Sequence, residues 1–381
     1  MLGRKNDTIL ISTKGNFLNR SKMLPELKSI KQIQLDPGEV LISAGGFEDR
    51  VLAIPSILTN QTSKEGLAIV LEYLPHDEKN RLDAVVSALR QQCDRVEIEK
   101  YNLHHPEGFD ENLSNHLNRL QANAVCLDIS GMSRLAIMII ADVLREMNLP
   151  LRIVFAEARE YAPSQEGFES AKKGDEQHLP TSFIHTGIHD VLHVQRLSSV
   201  RMQSNATLLI AFDSFNEALC QALINMINPS RFILINGRPP RNELRWREEA
   251  TKYVHQFLRK EWNIEDDNEP VKTTSTLYYA ETYELLTTLY WRFSTEHRII
   301  IAPTGSKMQT LGSYLMRAVH KDIHLEYPAV SGFFGEKYSR GVREIWEIDF
   351  GNMGDFISRL RQQEIVSHLG LPSNPVNTEI E

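Results

Sequence analysis

Short apolar runs alternate with helix-favouring segments along most of the chain. After a mixed stretch to about residue 37, a first series of apolar runs lies at 40–44, 67–73, 96–98, 125–129 and 151–155. A second series lies at 208–212, 232–236, 271–274, 299–303 and 323–327. We expect helices at 78–94, 112–121, 134–147, 243–260, 281–293, 307–320 and 356–369. This alternation predicts an α/β fold with mainly parallel sheets flanked by helices.

The second series repeats the turn chemistry of the first. In each series the fourth strand runs into a small-residue turn and then a helix. The first is the Ser-Gly turn, Ser130-Gly131-Met132-Ser133-Arg134, and the second is the Thr-Gly turn, Thr304-Gly305-Ser306-Lys307. Phe47 and Phe215 also occupy matching positions after the first strands. The pattern therefore predicts two tandem, pseudo-duplicated Rossmann-like domains.

Composition shifts suggest where these domains begin and end. We expect the first Rossmann-like domain at 38–162 and the second at 205–335, joined by a polar linker and connecting segment at 163–204. Residues 1–37 would form an N-terminal arm or an extra strand. Residues 336–381 predict an alternating strand at a sheet edge, an amphipathic helix and a polar tail.

The two turns are the strongest candidates for ligand binding. Parallel sheets bind ligands beyond the carboxyl ends of their strands. Glycine lets a ligand approach the backbone, and hydroxyls and helix-start amides bind phosphate oxygens. Arg134 and Lys307 place cations at helix starts, where the helix dipole does not favour them unless they face an anion. The alternative is a capped strand–helix turn with a solvated cation. The candidate ligand-binding residues here are Ser130, Gly131, Ser133, Arg134, Thr304, Gly305, Ser306 and Lys307.

Other strand ends add further candidates. Gly45 and Gly46 follow the first strand, and Arg50 lies close behind them. Asn216 and Arg238 occupy strand ends of the second series. The carboxylates that could act as general acid or base are Glu48, Asp49, Asp128 and Asp213. The alternative for residues 45–50 is a tight turn with a local Glu–Arg pair.

Several classes of site lack their sequence signals. The P-loop and Gly-X-Gly-X-X-Gly patterns are absent, so an ATPase or NAD-dependent enzyme has little support and we expect no cofactor. His185, His189 and His193 recur every four residues, a spacing that could bind metal on a helix. No Cys or Glu completes a recognisable metal set, so solvated or interface histidines are favoured and no metal is predicted.

Composition and charge restrict the partners and the cellular environment that we expect for this protein. The 381 residues carry a net charge of −8, which argues against general nucleic-acid coating. Cys93, Cys126 and Cys220 are far apart in apolar surroundings, as expected for reduced, buried thiols. No apolar stretch is long enough for a membrane span, and the start lacks a signal-peptide pattern. We expect a cytoplasmic protein with no membrane partner.

The sequence Thr304-Gly305-Ser306-Lys307-Met308 resembles the loop of CRISPR-associated Rossmann-fold (CARF) sensor domains, usually Thr-Gly-Gly-Thr-Lys-X-Met. The loop is one residue shorter here, and the Ser-Gly turn is a weaker relative. Two such domains in one chain are similar to SAVED sensors of anti-phage signalling. The resemblance implies an oligonucleotide signal in a groove between the lobes, contacted by both turns. Such sensors normally carry a nuclease or protease domain, which we do not expect within these residues.

The sequence thus predicts a protein that binds a phosphate-containing small molecule or short oligonucleotide between two lobes, in prokaryotic anti-phage defence or stress signalling. A separate effector protein is a possible partner. One alternative is a nucleotide-processing enzyme that uses strand-end carboxylates. Another is a protein-interaction subunit of a defence complex.

Overall fold

Two mainly parallel sheets organise the protein. The computed structural model describes residues 23–59, 66–174, 187–264, 271–332 and 338–369. Its α/β architecture confirms the predicted fold class. The strands are β1 (Lys28–Ile30), β2 (Glu39–Ala44), β3 (Leu67–Leu74), β4 (Arg95–Asn102), β5 (Ala124–Asp128), β6 (Pro150–Tyr161), β7 (Ile188–Leu192), β8 (Ala206–Phe212), β9 (Arg231–Arg238), β10 (Thr273–Ser275), β11 (His297–Ala302), β12 (His324–Leu325), β13 (Tyr327–Val330) and β14 (Ser339–Asn352).

Helices follow most strands and cover the sheets. They are α1 (Ala53–Ile57), α2 (Leu82–Arg90), α3 (Phe109–Arg119), α4 (Arg134–Met147), α5 (Gln165–Gly174), α6 (Glu217–Ile227), α7 (Trp246–Val254), α8 (Gln256–Glu261), α9 (Tyr279–Phe293), α10 (Lys307–Val319) and α11 (Met353–Leu369). None of these described helices combines the length and apolar character needed to cross a membrane.

The strand order is the same in both halves of the chain. The first lobe contains the sheet β1-β14-β6-β5-β2-β3-β4, and the second lobe contains the sheet β10-β9-β8-β11-β12. Counted within each series, both parallel cores read 3-2-1-4-5, which is the Rossmann arrangement. All six residues of β2 are buried, as its apolar sequence predicts for a central parallel strand. The shared order confirms the predicted duplication of the fold.

The prediction that the C-terminal strand lies at a sheet edge is wrong. β14 pairs antiparallel with β6 on one side and with β1 on the other. The β1 strand is only three residues long, and it pairs with positions 345–347 of β14. It therefore covers part of an edge that would otherwise expose unpaired backbone groups.

Three other predicted elements differ in their limits. The helix expected at 243–260 is broken at His255, whose buried ring contacts the backbone of Ser214. The helix expected at 78–94 begins only at Leu82, because the preceding residues form a loop held by a hydrogen bond from Arg81 N to Gly46 O. The strand expected at 323–327 is split into β12 and β13, and β13 pairs with β7 in a separate small sheet.

The helices that follow the two turns form the contact between the lobes. α4 and α10 pack against each other, and Tyr314 on α10 donates to Oδ1 of Asp142 on α4 at 3.3 Å. α11 packs on both helices, and one hydrophobic core contains residues of both lobes. Because α4 and α10 begin at the Ser-Gly and Thr-Gly turns, their packing brings the two turns together. The predicted domain limits stay a prediction.

Candidate ligand-binding cavity

A cavity of about 710 Å³ lies where the carboxyl edges of the two sheets meet. Both lobes contribute to its wall. Among the lining residues are Gly46, Glu48, Arg50, Tyr73, Gly131, Ser133, Arg134, Asp213, Arg247, Thr304, Gly305, Ser306, Lys307 and Tyr338. Its volume is within the range of small-molecule sites.

The two turns contact each other across this cavity in a reciprocal way. Nη1 of Arg134 donates to the carbonyl oxygens of Thr304 at 3.0 Å and Gly305 at 2.6 Å. Nζ of Lys307 donates to the carbonyl oxygen of Ser130. Arg134 and Lys307 are the first residues of α4 and α10, so each helix-start cation contacts the backbone of the opposite turn. Arg134 and Lys307 therefore donate hydrogen bonds to the protein backbone, in contrast to the alternative of a capped turn with a solvated cation.

Serine side chains cap both helices. Oγ of Ser133 accepts from Ala136 N at 3.2 Å. Oγ of Ser306 accepts from Gln309 N at 3.1 Å, while the Gln309 side chain accepts from Ser306 N at 2.8 Å. The Thr-Gly turn therefore has a full capping box, and the Ser-Gly turn has a single cap.

The side-chain hydroxyls of Ser130 and Thr304, the first residues of the two turns, form hydrogen bonds within the protein. Oγ of Ser130 accepts from Ala156 N on β6 at 2.9 Å. Oγ1 of Thr304 accepts from Phe212 N at 2.9 Å and donates to Phe212 O at 2.5 Å. Both side chains are fully buried. Each hydroxyl thus anchors its turn to a neighbouring strand, and the two anchoring strands differ.

The glycines of the turns are explained by close packing. A Cβ added at Gly131 would lie 2.5 Å from Cγ1 of Val51. A Cβ added at Gly305 would lie 2.9 Å from Cβ of Phe212 and would clash with the Gln309 side chain. A larger residue at either position would displace the turn.

Glu48 is the centre of a buried charge cluster at the cavity wall. Arg50 donates to both Glu48 carboxylate oxygens at 2.9 Å and to Ala156 O at 3.0 Å. Nζ of Lys307 lies 3.5 Å from the carboxylate, and Ser339 on β14 donates to it. Burial alone would raise the pKa of Glu48, but Arg50 and Lys307 together lower it to about 2. Glu48 therefore stays ionised and links the Thr-Gly turn to the first lobe.

Lys307 has an unusually low pKa for a lysine. Burial, followed by the nearby charge of Arg50, lowers the pKa of Lys307 from 10.5 to about 7, although Glu48 and Asp128 act in the opposite direction. A small change in its surroundings can therefore change its charge near neutral pH.

Asp128 and Asp49 do not line the cavity. Asp128 is fully buried and accepts from Ser43 Oγ at 3.0 Å and Ser130 N at 2.9 Å. Burial raises its pKa despite these hydrogen bonds. Asp49 accepts from Gly341 N on β14 at 2.9 Å. Both carboxylates therefore hold backbone in place, and their catalytic use stays a prediction.

Asp213 is a cavity-lining carboxylate in the second lobe. It accepts from Gly237 N at 2.7 Å and from Thr251 Oγ1 at 2.8 Å. Burial raises the pKa of Asp213 to about 6, although these hydrogen bonds and Arg259 lower it. This carboxyl can therefore change charge near neutral pH.

The remaining predicted residues lie outside the cavity lining. Gly45 packs against Leu82 beneath the first strand end. Asn216 is fully buried at the start of α6. Arg238 forms an ion pair with Glu281 at 2.7 Å. Their ligand-binding role stays a prediction.

Sequence reasoning missed two groups in the wall. The Tyr73 hydroxyl donates to Gly131 O at 3.3 Å and accepts from Ser133 N at 2.8 Å, so it supports the Ser-Gly turn from β3. Arg247 donates to three consecutive carbonyl oxygens at the end of β6 and just beyond it, although it belongs to α7. No local motif marks either residue, because each contact joins segments far apart in sequence.

The histidines do not form the set that their spacing suggested. His185 lies outside the described residues, and His189 stacks on His104 with ring centroids 3.8 Å apart. His193 instead lies beside His324 and Glu326. Nδ1 of His324 accepts from Ser199 N at 3.1 Å, and its Nε2 faces Glu326 at 2.6 Å. Because a ring nitrogen that accepts a hydrogen bond carries no proton, these two contacts place the His324 ring proton on Nε2, which donates to Glu326.

A second cavity of about 780 Å³ lies beside α5, α7 and α8. Its lining is charged and aromatic, and includes Phe168, Lys172, Trp246, Tyr253, Arg259 and Lys260. None of the residues predicted from the sequence lines it.

Comparisons with known proteins give only distant structural similarities. No protein-family model matches the chain, and no curated protein matches it. The chain is similar to the solved structure of a Type III CRISPR defence DNA nuclease activated by cyclic oligoadenylate, with 10% identity and a TM-score of 0.42. That match covers 76% of this chain and 65% of the nuclease chain, which is just under two thirds. A functionally unknown protein from Pseudomonas aeruginosa PAO1 is similar with 9% identity and a TM-score of 0.23, covering 86% and 96% of the two chains. Both similarities are too low to indicate function.

Proposed function

We propose that this protein is a sensor that binds a phosphate-containing nucleotide or short oligonucleotide in the cavity between its lobes. The observation that carries the proposal is the meeting of two equivalent helix-start cations, Arg134 and Lys307, in one cavity. A ligand with two phosphates can contact both. The sequence resemblance of the Thr-Gly turn to CRISPR-associated sensor loops favours a cyclic oligonucleotide, and defence signalling as its setting.

The charges in the cavity support an anionic ligand. Among the described residues, Arg134 forms no ion pair with a carboxylate, and its acceptors are neutral carbonyl groups. Lys307 shares Glu48 with Arg50, which already binds both carboxylate oxygens. A phosphate would therefore meet cations whose charge is only partly compensated, and charge-assisted hydrogen bonds are the strong ones.

The contacts between the turns suggest how binding changes the protein. A phosphate that takes the hydrogen bonds of Arg134 and Lys307 competes with the carbonyl groups of the opposite turn. Release of Lys307 also alters the surroundings of Glu48, which accepts from Ser339 at the start of β14. Binding at the turns would in this way affect the segment that leads into α11.

A thermal-shift screen tests the proposal. Cyclic oligoadenylates of different ring size, other cyclic dinucleotides and common mononucleotides are added to the protein. A ligand that binds only the folded state raises the melting temperature. We expect at least one phosphodiester ligand to do so, and Lys307→Met or Arg134→Met to weaken its binding about tenfold or more.

The matched control is Lys100→Met, which removes a lysine from the exposed face of β4, away from the cavity. It should bind like the wild type. No shift with any nucleotide, or an equal shift for wild type and both turn variants, would contradict the proposal.

A second candidate function is nucleotide processing, favoured by the elevated pKa of Asp213 in the cavity wall. In this case a bound nucleotide would be converted to product, and Asp213→Asn would abolish turnover while retaining binding. Chromatography of each bound nucleotide after incubation distinguishes a sensor from an enzyme.

A further inference from the structure

We propose that Arg247 is a separate phosphate-binding residue of the cavity, in addition to the helix-start cations Arg134 and Lys307 of the two turns. The proposal rests on the proposed function for the identity of the ligand. It adds an anion contact that neither turn provides, and thereby predicts a ligand with a phosphate beyond those held by Arg134 and Lys307.

The hydrogen bonds of Arg247 leave one edge of its guanidinium group available. Nη1 donates to Tyr161 O at 3.1 Å and to Pro163 O at 2.9 Å, and Nη2 donates to Ala162 O at 2.9 Å. A guanidinium group has five N–H donors. Among the described residues, the Nε–H and one Nη2–H therefore have no protein acceptor. Adjacent donors of this kind bind a phosphate through two parallel hydrogen bonds.

The position of this group is held from several sides. Its Cζ lies 4.4 Å from the ring centroid of Phe215 and 5.3 Å from that of Trp246. The three carbonyl contacts fix the far edge of the guanidinium group. Arg247 lines the cavity together with Phe215. A donor pair that is already oriented binds an anion at low entropic cost.

The charge of Arg247 is not balanced by a described carboxylate. Nearby Arg241 provides the contrast, since it forms ion pairs with Glu157 and Glu344, each at 2.9 Å. Burial without such a partner lowers the pKa of Arg247 to about 10. Its acceptors in the protein are neutral carbonyl groups, so a phosphate in the cavity would supply the missing counter-charge.

Arginine side-chain NMR provides a direct test. The full-length protein is labelled with [¹⁵N]arginine, and its Nε–H signals are followed during titration with inorganic phosphate. The Arg247 signal is assigned by its loss in Arg247→Lys. Sodium chloride at equal ionic strength is the control titration. We expect a saturable shift of the Arg247 signal with phosphate and only a small, linear change with chloride.

The matched control residue is Arg245, an exposed arginine two positions earlier that does not line the cavity. Its signal should not saturate, and Arg245→Met should bind nucleotides like the wild type. Arg247→Met should weaken the best nucleotide of the thermal-shift screen by about tenfold. A purely structural role, in which Arg247 only holds the carbonyl groups at and just beyond the end of β6, would lower stability without a saturable phosphate shift.

The outcomes separate this inference from the proposed function. If a nucleotide binds but the Arg247 signal does not respond and Arg247→Met binds equally well, the inference is wrong and the sensor proposal stands. If no nucleotide binds, the sensor proposal fails, and the phosphate titration still decides whether Arg247 is an anion site.

Discussion

The Ser-Gly and Thr-Gly turns occupy equivalent places in the two lobes, yet they are supported differently. Both follow the fourth strand of their series, begin a serine-capped helix and direct a cation to the opposite turn. Beneath the Ser-Gly turn lies the buried carboxyl of Asp128, whereas the equivalent position in the second lobe is Ala302. The two lobes therefore share the backbone arrangement of the turn but differ in its buried polar support.

The cations of the two turns also differ in their surroundings. Arg134 contacts only neutral carbonyl groups among the described residues, and a guanidinium group keeps its charge at any ordinary pH. Lys307 lies near Glu48 and Arg50, and burial brings its pKa to about 7. One turn thus presents a constant charge, and the other presents a charge that depends on its environment.

The largest effect on stability is expected from replacing Asp128 with alanine, the residue type at the equivalent position of the second lobe. Asp128→Ala leaves Ser43 Oγ and Ser130 N without their buried acceptor. We expect a loss of about 3 kcal/mol in the free energy of unfolding, measured by urea denaturation. Asp128→Asn keeps a group of the same shape and should lose clearly less. Equal stability of Asp128→Ala and wild type would show that this carboxyl does not support the turn.

The pH dependence of binding should separate the two cations. The charged form of Lys307 binds a phosphodiester, so raising the pH from about 6.5 to about 8.5 should lower affinity about tenfold. Lys307→Arg should remove most of this dependence, while Arg134→Lys should not. Isothermal titration calorimetry at several pH values measures the effect, and an equally steep profile in Lys307→Arg would contradict the assignment.

Lys307 also makes the stability of the protein depend on pH, in the direction opposite to its effect on ligand affinity. Its pKa is about 7 in the folded protein and near 10.5 when unfolded, so the unfolded chain binds more protons between these values. The contribution of Lys307 to stability should therefore rise with pH from about 7 to about 10.5. Comparing urea unfolding of wild type and Lys307→Met across this range isolates it, and a difference that does not change with pH would count against the lowered pKa.

The helix caps should show the smallest difference in stability between the two turns. Ser133→Ala and Ser306→Ala should each cost about 1 kcal/mol of stability. Ser306→Ala should cost somewhat more, because the Ser306 hydroxyl also holds residue 309 in place for the reciprocal bond from Ser306 N to the Gln309 side chain, which keeps its backbone donor but loses that support. Thermal unfolding compares the two variants, and a larger loss in Ser133→Ala would reverse the proposed order.

Much of the fold follows from local sequence pattern. The strand–helix alternation, the positions of α4 and α10, and the repeated turns are encoded by apolar runs and by residues within one turn of each other. The break at His255 and the pairing of β14 with β1 were not predicted, because each depends on contacts with distant segments.

The candidate site was predictable only in part for the same reason. Arg134 and Lys307 carry a local signal, since a cation at a helix start is unfavourable without a nearby negative group. Their contacts with the opposite turn arise from the packing of α4 on α10, which no local motif reveals. Ser130 and Thr304 carry hydroxyl groups that are suited to phosphate binding, but the burial of these groups depends on the tertiary fold.

A crystal structure with the nucleotide that most raises the melting temperature tests the central claim most directly. We predict phosphate oxygens within hydrogen-bonding distance of Nζ of Lys307 and the guanidinium group of Arg134, inside the cavity between the lobes. A nucleotide bound in the second cavity beside α5, α7 and α8, with both turns still joined to each other as they are here, would contradict this account.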